Sequence, residues 1–307
     1  MNLPSPSPAG GMAQTRFRPS PDADGSALEL FPGLLKSAAT VFQFELGRSK
    51  TWKRLIIWVG VAVFPAVIML MMRSTGARPP QAVWITMIFV LATLMVVLLN
   101  ALLWIAPLVQ TELEGRTWLY LVVRPFGRWA LVLGKGLNGF AWTLAAGLVA
   151  LAGAVVCASI GSVEFLQADN FQQVTDDASA LTNVYQNGAI LAVLTLLSAI
   201  VYSSLFMAIG CIIPKRAMLV AFSYTLIFET AVAFVPAVIS RLTVQYHLRC
   251  LLAMWMEFDI PAEGRLYLFS EASSAWHVSC LLAMALFWTF VSLTVIHIRQ
   301  YVMSDEA

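Results

Sequence analysis

The sequence predicts an all-α membrane protein. It should have six transmembrane helices, an N-terminal amphipathic interfacial helix before them, and both termini in the cytoplasm. Three observations carry this expectation. The 307 residues are 59% hydrophobic and only 12% charged, whereas a soluble domain is near a quarter charged. Six apolar runs reach, or nearly reach, the length of about 20 residues that crosses a bilayer. With the N-terminus inside, fourteen of the 19 Lys and Arg residues fall on the cytoplasmic side, which is the bias that orients membrane helices.

Residues 1–29 are rich in Pro, Ser, Gly and Ala and have no continuous apolar core. They are therefore no signal peptide and read as a disordered cytoplasmic tail. Over 30–54, Leu35, Ala38, Phe42 and Leu46 recur at helical spacing, with Lys36, Gln43 and Arg48 on other faces and Phe44 off the stripe. This is the pattern of a helix lying on the membrane surface; a cytosolic extension of the first span is the alternative.

The six-span domain covers 55–300, with spans expected at Leu55–Met72, Ala82–Val109, Gly136–Ile160, Gly188–Ile213, Ala217–Ile239 and Val278–Ile296. Each should be helical, because hydrocarbon offers no partner to free backbone groups. Pro65, Pro107 and Pro236 mark kinks or ends. Residues 301–307 form a short cytoplasmic tail.

Three connections are informative. Gln110–Lys135 is too long for a turn and too charged to span, and its apolar stretch Trp118–Val123 suggests a short helix parallel to the membrane. Gly161–Asn187 carries Glu164, Asp169, Asp176 and Asp177 and no basic residue, as suits an outer loop. Ser240–His277, also outside, contains the seven-residue apolar run Cys250–Met256. That run is too short to cross. It is expected to be helical and either to dip into the interface or to cover the outer end of the bundle.

Little in the chain suggests catalysis. The nearest approach to a P-loop, Gly134–Lys135–Gly136, has Trp129 in place of the first glycine and Gly136 in place of Ser or Thr, so the chain lacks its own ATPase site. The four cysteines and three histidines show no metal or disulfide spacing, and no metal or bound cofactor is expected. No basic block points to nucleic acid. His277 and His297 flank the last span and read as interfacial anchors. Glu229, thirteenth of 23 residues in the fifth span, is the main intramembrane candidate, since a charge there costs about 2.5–3.5 kcal/mol on insertion scales. A hydrogen-bonded helix contact is its alternative role. Asn100 is a second candidate, and Asn138 and Tyr202–Ser203–Ser204 are weaker ones; for all of these interhelical hydrogen bonding is the default.

The order of parts, and above all the segment Glu112, Glu114, Gly115, Thr117, Leu119–Val123, Pro125, Arg128 and Lys135, resembles the membrane subunits of ABC type-2 exporters. Arg116 separates the glycine from the threonine that usually follows it in that pattern. The resemblance implies that Glu112, Glu114, Gly115, Arg116, Thr117, Pro125 and Arg128 belong to a coupling helix that docks on an ATPase. It likens Phe42, Phe44, Glu45, Leu46, Gly47 and Arg48 to a connecting helix. It further implies a permease of the inner membrane, paired with a P-loop ATP-binding subunit that uses the ATP, and with a second permease copy or a related chain. A secondary transporter and a non-transporting membrane anchor are the alternatives.

Overall fold

The computed structural model describes residues 27–75, 81–114, 127–159, 177–231, 241–256 and 272–299, and these are helical almost throughout. α1 spans Ala27–Ser49 and α2 spans Trp52–Ser74. Between them Thr51 is extended (φ −80°, ψ 138°), so α1 is a separate helix and not the start of the first span. α1 begins three residues inside the segment expected to be tail; residues 1–26 and 300–307 lie outside the described residues.

α3 runs through Gln81–Ile88, a wide π-helical stretch Phe89–Val96, and Val97–Trp104. It ends in turns that contain Pro107, where the missing N–H stops the helix. Pro65, by contrast, lies inside an unbroken α2. One short turn, α4 (Gln110–Glu114), follows α3. Then come α5 (Gly127–Ser159) and α6 (Asp177–Ile212). Both are longer than the predicted spans and begin well before the apolar run. α7 is α-helical over Ala217–Tyr224 and π-helical over Thr225–Ala231. α8 spans Val244–Trp255, and α9 spans Ser274–Ile298.

Five of these helices, not six, are long and apolar enough to cross a membrane among the described residues. The fifth predicted span is described only over its first part, α7; residues 232–240, with Pro236, lie outside.

α6 is the central column. It packs on α5, α9, α3 and α8, and 72% of its apolar window is buried against 17% for α2 and 22% for α9. α2 leans on α5, where Trp58 Nε1–H donates to the Trp142 carbonyl at 3.0 Å and Trp142 stacks on Trp104. The outer faces of α2 (Ile56, Val59, Val63, Val67, Leu70) and α9 (Leu286, Phe287, Phe290) are exposed and apolar, as helices in contact with lipid require.

α1 lies against the start of α5. Close approach is possible because position 134 is glycine: a Cβ there would stand 2.7 Å from the Ala38 carbonyl oxygen and from Val41 Cβ. The glycine of the apparent P-loop remnant thus serves helix packing. On α1, Ala38 is buried and Phe42 half-buried, but Leu35 is exposed and lies off the packed face.

Candidate functional site

Two polar constellations stand out, one at an end of the bundle and one inside it. The first begins with α1, which places Glu45 and Arg48 one turn apart, with 3.8 Å between their charged atoms. α5 contributes Lys135 and α4 contributes Glu112. Lys135 Nζ is paired with Glu112, lies 3.5 Å from Glu45, and donates to Thr111 Oγ1 at 3.2 Å. Arg48 lies 3.9 Å from Glu112. The four charges close a ring of alternating sign that ties α1, α4 and α5 together.

Lys135 and Glu112 are only 8% and 4% exposed. A buried ammonium needs carboxylates beside it, because the alternative is an uncompensated charge in a poorly solvated place. Glu112 is turned inward beside Lys135 and neutralises it. Glu114 is exposed and accepts from Gln110 Nε2 at 2.7 Å. Arg128 donates to the His297 carbonyl at 3.1 Å. Arg299 likewise donates to the Ile212 carbonyl. Each arginine satisfies a carbonyl at a helix C-terminus, where the backbone dipole favours a cation. Gly115, Arg116, Thr117, Trp118–Val123 and Pro125 lie outside the described residues.

The second constellation surrounds Glu229, 1% exposed. Its carboxylate accepts from Tyr202 Oη at 2.8 Å and from Tyr224 Oη at 3.1 Å. It also accepts from the backbone N–H groups of Gln245 at 3.1 Å and Val244 at 3.4 Å. Those two amides open α8, where the first N–H groups have no partner within the helix and the dipole is positive. Thr243 completes the cap by accepting from Tyr246 N–H. A single carboxylate therefore joins α6, α7 and the start of α8.

The π-helical stretch explains part of this geometry. Glu229 stands five positions after Tyr224, the repeat that places side chains together on π turns. Tyr202 was legible only as a weak polar candidate, and Tyr224 carried no signal without knowledge of the π stretch.

Asn100 is fully buried and donates to the Val96 carbonyl of its own helix at 2.9 Å, so it joins neither constellation. Between α3 and α6, Thr93 and Thr195 share a 2.9 Å hydroxyl contact, and Ser198 donates to the Thr93 carbonyl at 2.8 Å.

The run around Cys250 is helical, as expected, but α8 starts earlier and its apolar face is packed on α6 and α9. Cys250 itself is fully buried. On the same helix His247 Nδ1 lies 2.9 Å from His277 Nδ1. Burial, reinforced by His277, lowers the His247 pKa to about 4. The two histidines form an internal pair, and His277, at 1% exposed, is no simple interfacial anchor.

A family model described as ABC-2 family transporter protein matches residues 44–214. The chain belongs to the ABC-2 transporter family. No curated protein matches it. It is thus a multi-pass membrane protein and a membrane subunit of an ABC transporter. The ABC-2 match opens at Phe44, inside α1, and so takes in the whole charge ring, with Asn100 and Tyr202. Glu229 and α8 lie beyond it. Glu45, Arg48, Glu112 and Lys135 all lie in the stretches that resemble the family, but their mutual pairing is a tertiary fact.

Proposed function

We propose that the chain is the permease of an ATP-driven exporter of the inner membrane. A separate P-loop ATP-binding subunit drives it through the segment that begins at α4, and it pairs with a second copy or a related permease. The observation that carries this reading is the charge ring. Glu112, shortly before residues 115–126 in the chain, and α5, which follows them, are both clamped to α1 through Lys135, Glu45 and Arg48. A force applied at α4 would reach α1 and α5 through paired, mostly buried charges.

We also infer six crossings with both termini inside, α1 lying at the cytoplasmic interface. The contacts of Arg128 with His297 and of Arg299 with Ile212 support it. They gather the start of α5 and the ends of α6 and α9 at one end of the bundle. The chain leaves that end at Ile212 and α9 returns to it, so an outward passage belongs between them, beginning with α7.

The test is co-purification in detergent. A P-loop ATPase should accompany the chain. Glu114→Lys, which adds a basic residue on a face that tolerates one, should leave insertion intact while weakening association or uncoupling hydrolysis from transport. Unchanged association and coupling in Glu114→Lys would remove the coupling role of this segment.

A further inference from the structure

Beside the charge ring lies a cavity of about 260 Å³, bounded by α1, the first two turns of α2, the end of α3, Thr111 and the start of α5. Its inner wall is polar and its outer lip is apolar. Arg54 stands on the rim, with its guanidinium 5.6 Å above the Trp104 ring. Among the described residues no carboxylate lies within ion-pair distance of it. The ring carries equal numbers of positive and negative charges, so Arg54 leaves the cavity with a net positive charge. Arg48, with more than half its side chain exposed, meets its two carboxylates only at 3.8 and 3.9 Å, beyond hydrogen-bond reach. Deeper in, Asn138 is 5% exposed and donates to Ser49 Oγ at 3.0 Å, but its Oδ1 has no partner. A buried acceptor left so calls for a donor.

The cavity therefore asks for an anion that carries a hydrogen-bond donor on a short arm. Its size falls below the roughly 300–1,000 Å³ of pockets that enclose a drug-sized molecule. The lip explains why a small pocket suffices. Ile57, one turn above Arg54, is 55% exposed and opens the apolar outer face of α2, so the remainder of the ligand can stay in lipid. We propose that this cavity holds the headgroup of a phospholipid, with its phosphodiester on Arg54 and Arg48 and a hydroxyl or ammonium arm donating to Asn138. The leaflet is the cytoplasmic one if the topology above holds. The binding itself depends neither on that topology nor on coupling to an ATPase.

Native mass spectrometry of the detergent-purified chain, titrated with phosphatidylglycerol, tests this. One lipid per chain should be retained. Arg54→Gln should weaken retention about fivefold, the effect of one basic contact at an anionic lipid surface. Arg54→Lys should bind nearly as wild type, and Arg73→Gln, at the other end of α2, should bind as wild type. Asn138→Leu should erase the preference for phosphatidylethanolamine over phosphatidylcholine, whose headgroup has the same net charge but no donor. Equal retention by wild type, Arg54→Gln and Asn138→Leu would overturn the proposal. So would displacement by an equal concentration of glycerol 3-phosphate, which would mark a site for a soluble phosphate. A wild-type dimer that takes up no lipid would show instead that a second copy covers the cavity. All of these readouts are independent of ATPase association, so the lipid site and the coupling reading stand or fall separately.

Discussion

Replacing Glu229 separates a structural clamp from an incidental polar residue. In Glu229→Leu the Tyr202 hydroxyl, on a fully buried side chain, loses its acceptor, as do the first two amides of α8. Each buried donor left unsatisfied costs about 1–3 kcal/mol. The 3.4 Å contact of Val244 is weak, and Tyr224 is half-buried and can turn elsewhere. Two full penalties remain, a loss of roughly 2–6 kcal/mol. That is well above the average of about 0.6 kcal/mol for a single interhelical hydrogen bond in a membrane protein.

Glu229→Gln keeps one acceptor but turns an NH₂ toward donors, so it should fall between Leu and wild type. Tyr202→Phe removes the donor together with its need and should cost about 1 kcal/mol. In the double variant Glu229→Leu/Tyr202→Phe the orphaned hydroxyl is gone, so part of the Leu penalty should be recovered, about 1–3 kcal/mol of coupling. The assay is reversible unfolding of the purified chain in mixed micelles, read by circular dichroism, with protease cleavage near α8 as a local probe. Glu229→Leu within about 0.5 kcal/mol of wild type, or no coupling in the cycle, would refute the clamp, since surface-like substitutions stay in that range.

Three further outcomes are expected. Gly134→Val should push α1 off α5, destabilising the chain by about 1–3 kcal/mol and reducing disulfide cross-linking between cysteines engineered at Ala38 and Leu131. His247 is held neutral by burial, with its pKa near 4 against the ordinary 6.5. The unfolded chain therefore binds the proton more readily, so this stabilisation is complete above pH 6.5 and is lost as pH falls toward 4; His247→Gln should flatten the melting temperature over that window. Reporter fusions after Gln173 and after Lys215 should report outside and inside respectively, and the same side for both would overturn the six-span topology.

Much of the architecture was legible because a membrane imposes simple demands. Apolar runs of the necessary length must be helical, and α2, α3, α5, α6 and α9 follow from hydropathy alone. The separateness of α1 was legible as well: Leu35 aside, its apolar stripe needs a surface to lie on, and the polar residues Lys50 and Thr51 interrupt the run into α2. Helix ends were less legible. α5 and α6 extend beyond their apolar cores, since nothing in a hydropathy pattern obliges a helix to stop where the hydrocarbon does.

Pairing was invisible. Glu112 and Glu114 lie on one short turn with the same charge, yet one is buried under Lys135 and the other is exposed. The difference is set by α1 and α5, which approach only because residue 134 is glycine. Glu229 was conspicuous as a charge among apolar residues, but its partners come from another helix, from a π turn and from the first amides of α8. Hydropathy along the chain was enough to tell which segments could enter lipid, since that depends on the local sum of side-chain transfer energies. Which polar groups meet emerged from the fold alone, because hydrogen bonds and ion pairs depend on distances of a few ångströms between residues far apart in the chain.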